Sequence, residues 1–349
     1  MMNGDIMKVA VLGAGAMGSA LTVPIADRGH EVRLWGTKYD IKILDIISEG
    51  SPHPRIGVKI PGSVKIYYPE ELERALSGAD VVVIGVSSAG VAPVSEEIKD
   101  FLESKTSIVV ISKGLEELGG EILTMTQIVE KKTGISDRII YVSGPSIARE
   151  LAHKLATAVV YNSRNLELAE KIKREFETRY YKISVSDDVL GAELSASLKN
   201  VYAIAIGWFD GLAKKKDGLE MNNAKSAFFV QAVREMAYIV ERMGGRRETV
   251  YGLSGIGDLM VTARGGRNGM FGMLMGTGLS AVEALEEMKK REVGVVEGYV
   301  AAEKVYKLID GRVDLDKIPL FIGVYKVLYE ELEVLHAVEN ILNSISQFH

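Results

Sequence analysis

The stretch KVAVLGAGAMGSALTVPIADRG, residues 8–29, predicts how the first half of the chain folds. Its apolar beginning predicts a strand over Lys8–Leu12, its end has helical spacing, and Gly13-x-Gly15-x-x-Gly18 stands between them. Gly13 permits a tight turn, Gly15 lets a pyrophosphate approach the backbone, and Gly18 lets the helix pack on the strand. The helix N-terminus adds N–H donors and the positive end of a dipole. The stretch therefore predicts a dinucleotide-binding turn, with glycines that merely shape a turn as the alternative.

The second predicted strand, EVRLWG over Glu31–Gly36, indicates which dinucleotide is bound. The pattern selective for NAD carries an Asp or Glu about 20 residues past the glycines, where it binds the ribose 2′-hydroxyl. Thr37 and Lys38 occupy that neighbourhood here. A hydroxyl and a cation favour a 2′-phosphate, so we expect NADP(H), with NAD as the second choice. Lys38 as an ordinary solvated lysine is the alternative interpretation.

Further strands alternate with helical segments, which predicts an α/β fold with a mostly parallel sheet covered on both faces. After about Ser186 the sequence contains long helix-period segments and hardly any strand candidates. We therefore expect a Rossmann-type dinucleotide-binding domain over 1–186 and an all-α substrate-binding domain over 187–349, with the site in the cleft between them. The additional strands are expected at Val81–Val86, Ile108–Ser112, Ile139–Ser143, Ala156–Tyr161 and Tyr181–Val185.

The composition excludes several classes of protein. A formal net charge of −5 offers no electrostatic reason to bind nucleic acid or an anionic membrane. The absence of cysteine removes disulfides and thiolate ligands, and the five histidines lack metal-ligand spacing, so no metal site is expected. The N-terminus resembles no signal peptide, and no run of about 18 uninterrupted apolar residues follows it. We interpret the protein as cytoplasmic, with a loose tail over the first six residues and Met1, Met2 or Met7 as the start.

Polar residues follow the predicted strands at the sheet edge where ligands of open α/β folds bind. Ser87 comes after the third strand, Lys113 after VVIS, and the segment Gly144-Pro145-Ser146 after IIYVS. Together they offer hydroxyls, a cation and a helix start suited to an anion.

The helical half contributes a lysine in an unusual place. The run AELSASLKNVYAIAIGWF, Ala192–Phe209, reads as a buried helix except for Lys199 and Asn200. Burying an uncompensated ammonium costs several kcal/mol, on the order of the penalty for isolated charges, so Lys199 requires a partner or a purpose. Asp258 and Thr262 supply an acid and a hydroxyl downstream.

The glycine-rich loop RGGRNGMFG, Arg264–Gly272, contains Arg267 and Asn268. Glycines around a guanidinium and an amide indicate backbone held close to an oxyanion, because the guanidinium fork matches its oxygens. A solvated turn with a surface arginine is the alternative.

Taken in order, GAGAMGSAL, SKGLE, SGPS, LKNVYAIAIG, GLSGIGDLMVT, GRN and VVEGY resemble the NAD(P)-dependent glycerol-3-phosphate dehydrogenase family of bacteria and some archaea. The resemblance covers about Lys8 to Leu308. It implies a Rossmann domain, a C-terminal helical domain like that of 6-phosphogluconate dehydrogenase, and usually a homodimer. The implied reaction is the reversible reduction of dihydroxyacetone phosphate to sn-glycerol 3-phosphate, which supplies the backbone of glycerophospholipids.

The resemblance also implies residue roles. Lys199 matches the family's catalytic lysine, Lys113 a second lysine at the substrate, and Asp258 the acid beside Lys199. Two departures stand out: Gly266 replaces a common serine of the phosphate loop, and Met17 replaces a bulky aromatic. Together with the residues that the sequence itself singles out, the substrate-binding set also comprises Gly144, Ser146, Asn200, Thr262, Arg267 and Asn268, and the cofactor-binding set comprises Gly13, Gly15, Ala16, Met17, Gly18, Thr37, Lys38, Ser87, Lys113, Ala148, Arg267, Val295 and Glu297.

Reduction of a ketone places negative charge on its oxygen, which requires a nearby cation and a proton; Lys199 could supply both. Another two-domain reductase, of the 2-ketopantoate or 6-phosphogluconate type, is the nearest alternative, and the phosphate loop around Arg267 argues against the first. A 3-hydroxyacyl-CoA type would need a catalytic histidine in a suitable context. A non-catalytic NADP(H) sensor is the alternative from another class, which retention of Lys113, Lys199 and Asp258 disfavours.

Overall fold

The strands of the described residues form one eight-stranded sheet and a separate hairpin. The computed structural model describes residues 6–216 and 218–347, without the side chains of 345–347, so the expected tail lies outside the described residues apart from Ile6. The strands are β1 Lys8–Leu12, β2 Glu31–Trp35, β3 Lys65–Tyr67, β4 Val81–Ile84, β5 Ser107–Val110, β6 Leu115–Leu118, β7 Glu121–Thr124, β8 Ile139–Ser143, β9 Thr157–Asn162 and β10 Tyr181–Ser186. The sheet order is β10-β9-β8-β5-β4-β1-β2-β3, and β6 pairs with β7.

The sheet is mostly parallel, as expected: β1 pairs in parallel with β2 and β4, and β5 with β4 and β8. The exception is β9, which runs antiparallel to β8 while pairing in parallel with β10. The central strands are buried along their whole length, because helices cover both faces. These helices are α1 Ala16–Asp27, α2 Ile41–Ser48, α3 Leu72–Leu76, α4 Ser88–Ile98, α5 Met125–Thr133, α6 Ala148–Ala152 and α7 Leu166–Phe176.

Three strands were not anticipated. The edge strand β3 has only three residues, and the β6–β7 hairpin carries exposed acidic residues around the pair Gly119-Gly120. Neither has the continuous apolar run that marks a buried parallel strand. The third and fourth predicted strands end two residues early, at Ile84 and Val110.

The second unit is helical. By compactness the chain divides into Met1–Leu118 with Leu123–Val189, and Gly119–Ile122 with Leu190–His349. The helices of the second unit are α8 Val189–Lys214, α9 Asn222–Arg242, α10 Arg247–Tyr251, α11 Asp258–Ala263, α12 Arg267–Gly276, α13 Ala281–Lys290, α14 Glu297–Ile309, α15 Pro319–Tyr329 and α16 Val334–Gln347. By length and composition α8 could cross a membrane, yet 89% of its most apolar window is buried inside the protein.

Glycines bring α8 and α12 into backbone contact. A Cβ atom on Gly207 would lie 2.3 Å from the carbonyl oxygen of Gly269, and one on Gly272 would lie 2.0 Å from that of Ile204. Since real Cβ atoms never approach so closely, only glycine allows this separation. The close approach places the first residues of α12 beside the middle of α8.

Glu235 on α9 is a buried acid that holds the start of α15. Its Oε1 accepts hydrogen bonds from the backbone N–H of Leu320 at 2.7 Å and from Gln231 at 2.8 Å. Its Oε2 accepts from the N–H of Phe321 at 2.8 Å and from the Tyr202 hydroxyl at 3.1 Å. Burial raises the pKa of Glu235 to about 7, outweighing these donors, which lower it. The carboxyl therefore titrates near neutral pH.

Candidate active site

The glycine turn has a distinct use for each glycine. Gly13 has φ +111°, and a Cβ there would lie 2.8 Å from the oxygen of Gly85. A Cβ on Gly18 would lie 2.2 Å from the oxygen of Gly13, so α1 rests directly on the turn. A Cβ on Gly15 would meet no atom within 4 Å. The space above Gly15 is open to a ligand, and Ala16 and Met17 present the free N–H groups of the first helical turn there.

After β2 the chain forms a turn in which Lys38 is exposed and Asp40 accepts hydrogen bonds. Lys38 is exposed, with Nζ 5.3 Å from the ring centroid of Tyr39. Thr37 donates to Asp40 Oδ2 from its backbone N–H at 2.9 Å and from its hydroxyl at 2.8 Å. Asp40, which is not among the predicted site residues, therefore closes this turn. An Asp three residues after a Thr is typical of such a turn and could have predicted this contact.

Residues after β4, β5 and β8 share the carboxyl edge of the sheet, because these strands are parallel neighbours. Lys113 Nζ donates to the carbonyl oxygen of Gly144 at 3.2 Å, which joins the ends of β5 and β8. Ser146 Oγ lies 3.8 Å from Met17 Sδ, which places the segment after β8 at the first turn of α1. Ser87 is exposed immediately before α4, and Ala148 begins α6.

Lys199 and Asp258 form a buried ion pair in the helical unit. Lys199 Nζ lies 2.5 Å from Asp258 Oδ1, and the side chains are 8% and 2% exposed. Asp258 follows the π-helical turn Leu253–Gly257 without a break, so it lies inside a continuous helical segment. Thr262 donates its hydroxyl to the carbonyl oxygen of Asp258 at 2.7 Å, one turn along the same helix. The lysine in the apolar run thus has an acid as its partner.

Asn200 and Asn268 link three helices beside this pair. Asn268 donates from Nδ2 to Asn200 Oδ1 at 3.0 Å, and its Oδ1 accepts the N–H of Gly298 at 2.8 Å. A Cβ on Gly298 would lie 2.3 Å from the oxygen of Asn200, so α14 packs against α8 here. Both amides are buried. The structure therefore pairs two adjacent residues of α8 with distant ones, Lys199 with Asp258 and Asn200 with Asn268.

Arg267 begins α12 with an exposed guanidinium whose Nη2 pairs with Glu297 Oε1. Glu297 begins α14, and Val295 is exposed just before it. Gly266 precedes α12 in an extended conformation, and a Cβ there would approach Thr262 O to 3.0 Å, tighter than most real contacts. A serine at 266 would therefore require a small shift of the neighbouring backbone. Within residues 6–216 and 218–347, no group of three His, Asp or Glu residues could hold a metal.

Comparisons with known proteins give one family. The family models for the N-terminus and the C-terminus of NAD-dependent glycerol-3-phosphate dehydrogenase match residues 8–169 and 188–339. The chain is 48% identical to the NADP(+)-dependent glycerol-3-phosphate dehydrogenase of Archaeoglobus fulgidus, over 98% of this chain and 100% of the relative. It is 33% identical to glycerol-3-phosphate dehydrogenase [NAD(P)+] of Oceanobacillus iheyensis, over 96% and 94%.

Solved structures agree with this assignment. The glycerol-3-phosphate dehydrogenase of Coxiella burnetii superposes with a TM-score of 0.82 at 31% identity, over 97% of this chain and 99% of that one. The Saccharomyces cerevisiae enzyme, at 22% identity and a TM-score of 0.82, shares the fold. The chain belongs to the NAD-dependent glycerol-3-phosphate dehydrogenase family, as its motifs led us to expect.

Proposed function

We propose that this protein catalyses the reversible reduction of dihydroxyacetone phosphate to sn-glycerol 3-phosphate with NADPH, and with NADH as a second cofactor. The observation that carries the proposal is the buried Lys199–Asp258 pair, which places a charged ammonium donor in the protein interior. Family membership supplies the substrate class, and the chemistry of a ketone reduction supplies a reason for the lysine.

The N-terminal unit has the features that a dinucleotide requires. Open space above Gly15 and the N–H groups of α1 suit a pyrophosphate, while the exposed Lys38 suits a 2′-phosphate. Because the carboxylate of Asp40 is hydrogen-bonded back to Thr37, Lys38 is the charged group that the turn presents. When bound, the cofactor supplies or accepts the hydride.

Lys199 is the proton donor in this proposal. Its ammonium stabilises the charge that develops on the ketone oxygen and delivers a proton to it; in the oxidative direction the neutral amine accepts the proton from the alcohol. Asp258 holds Nζ through its Oδ1 and keeps the ammonium in place. The Asn200–Asn268 contact fixes the neighbouring polar surface, and the Lys113–Gly144 contact fixes a second lysine at the sheet edge.

Arg267 binds the substrate phosphate in this proposal. Its guanidinium is paired with Glu297 through Nη2 and is about half exposed, so the remaining N–H groups can meet a phosphate in bidentate geometry. The ion pair with Glu297 then orients the Arg267 guanidinium and limits its motion.

The same hypothesis includes domains over 1–186 and 187–349, a homodimer and a cytoplasmic location. The change from alternating strands and helices to helices alone near Ser186 supports the domain boundary. Size-exclusion chromatography with light scattering tests the dimer; a monomer at micromolar concentration would contradict it.

The deciding experiment follows the near-ultraviolet absorbance of NADPH mixed with the protein and dihydroxyacetone phosphate. Loss of absorbance, with sn-glycerol 3-phosphate as the product, is the expected result. Tight NADPH binding without turnover would instead support a redox sensor. 2-Ketopantoate and unphosphorylated dihydroxyacetone serve as control substrates, and both should react very slowly.

A further inference from the structure

His53 is a fully buried residue of the N-terminal unit that contacts the glycine turn. Its Nε2 lies 3.0 Å from the carbonyl oxygen of Ala14, between Gly13 and Gly15, although the two residues are 39 positions apart in sequence. Its Nδ1 accepts the backbone N–H of Arg55 at 3.1 Å. Both ring nitrogens are therefore committed to backbone groups.

These two contacts select one form of the ring. Because Nδ1 accepts a hydrogen bond, it carries no proton, so the proton of the neutral ring lies on Nε2 and is donated to Ala14. Protonating Nδ1 would set two N–H groups against each other. Burial is the main cause that lowers the pKa of His53, the charge of Arg55 lowers it further, and the hydrogen bond to Ala14 and the charge of Asp40 oppose this. The neutral ring is thus the stable form at neutral pH.

The contact also orients a peptide group. In a trans peptide the C=O and the following N–H point in opposite directions. Since the Ala14 carbonyl is held toward the buried ring, the Gly15 N–H points away from it. A Cβ on Gly15 would meet no atom within 4 Å, so the turn has open space at Gly15. A flipped peptide would instead turn a carbonyl toward an anion and repel it.

We propose that His53 is a positioning residue of the dinucleotide-binding turn, whose neutral Nε2–H holds the Ala14–Gly15 peptide so that the Gly15 N–H faces the phosphates of NADPH. This inference rests on the proposed function for the identity of the ligand. His53 lies in the loop after α2, outside the glycine motif, and is thus an additional residue that shapes the dinucleotide-binding turn.

Two variants separate the contacts. The side-chain nitrogen of glutamine lies about where Nε2 of histidine lies, so His53→Gln keeps a donor for Ala14 and loses the acceptor for Arg55. The shorter His53→Asn keeps an acceptor near Arg55 and loses the donor. We expect His53→Asn to raise the Kd for NADPH about tenfold, as for a lost contribution of ~1.4 kcal/mol, and His53→Gln, which keeps the donor for Ala14, to raise it by less than about threefold.

His30 provides a matched control. Its Nδ1 accepts the N–H of Met7 at 3.2 Å and its Nε2 lies 3.0 Å from the carbonyl oxygen of Glu175, so it makes the same pair of backbone contacts away from the glycine turn. His30→Asn should lower the free energy of unfolding as His53→Asn does, while the Kd for NADPH stays at the wild-type value. Titration by NADPH fluorescence measures Kd, and urea unfolding measures stability.

The outcomes distinguish the two hypotheses. Wild-type affinity in His53→Asn, or equal losses in His53→Asn and His53→Gln, would overturn the assignment to His53 while leaving the proposed function intact. A wild type that binds neither NADPH nor NADH would overturn both. If the variants do not fold, ¹⁵N NMR of the histidine rings in wild type with NADPH decides: a neutral Nε2–H ring at His53 supports the inference, and an Nδ1–H or doubly protonated ring refutes it.

Discussion

Replacing Lys199 by methionine tests the core of the proposed mechanism. Methionine retains the length and much of the volume of the lysine stem within α8, but removes the ammonium that lies 2.5 Å from Asp258 Oδ1. A general acid contributes about 10² to 10⁴ in rate, so kcat should fall by that factor. Affinity for NADPH should change little, because the glycine turn lies in the N-terminal unit.

The substitution also has a structural cost that must be separated from catalysis. The Asp258 side chain is 2% exposed, so removing the ammonium paired with its Oδ1 breaks a buried ion pair, at a cost of about 3–5 kcal/mol. Adding Asp258→Asn removes that charge. The double variant Lys199→Met/Asp258→Asn should therefore recover part of the lost stability without recovering kcat.

Steady-state kinetics with NADPH and dihydroxyacetone phosphate, alongside urea unfolding, measures both effects. Lys214→Met is the matched control, since Lys214 is the exposed last residue of the same helix. It should keep wild-type kcat. If kcat recovers in step with stability in the double variant, or if Lys199→Met retains wild-type kcat, Lys199 is not the proton donor.

Three further predictions concern substrate, cofactor and pH. Arg267→Ala should lower kcat/KM for dihydroxyacetone phosphate by roughly 2–4 kcal/mol, from a lost charged hydrogen bond and lost orientation, whereas Arg267→Lys should recover only part; undiminished preference for the phosphorylated ketone in Arg267→Ala would place the phosphate elsewhere. Lys38→Glu should raise KM for NADPH far more than for NADH, because attraction to the 2′-phosphate becomes repulsion; equal effects would contradict this role. Glu235 has a native pKa of about 7 against 4.5 for the ordinary group, so the native state retains a proton that the unfolded state has released. Its contribution to stability, roughly 3 kcal/mol, should be present below pH ~4.5 and be lost as pH rises through ~7. Urea unfolding of wild type and Glu235→Gln across this range checks the slope, and an unchanged slope in the variant would assign it to other groups.

The elements that could be predicted from the amino-acid sequence are those whose signals are local. A buried parallel strand is a short continuous apolar run, so β1, β4, β5 and β8 could be predicted nearly to their ends. The short β3 and the acidic β6–β7 hairpin have no such run, and the antiparallel pairing of β9 depends on how the chain returns to the sheet. The three glycine roles in the turn were predictable because each follows from the absence of a side chain.

The contacts between residues that are distant in the sequence follow from the packing of the whole chain. Lys199 is unusual in an apolar run, but its partner Asp258 is 59 residues away in the sequence. Asp258 follows a π-helical turn that no sequence pattern predicts. Likewise, no pattern in the sequence around His53 predicts its contact with Ala14. Hydrophobic periodicity and turn propensities are properties of a few consecutive residues. A buried charge or ring nitrogen instead needs a hydrogen-bond partner at about 3 Å, and the packing of the whole core determines which group lies there.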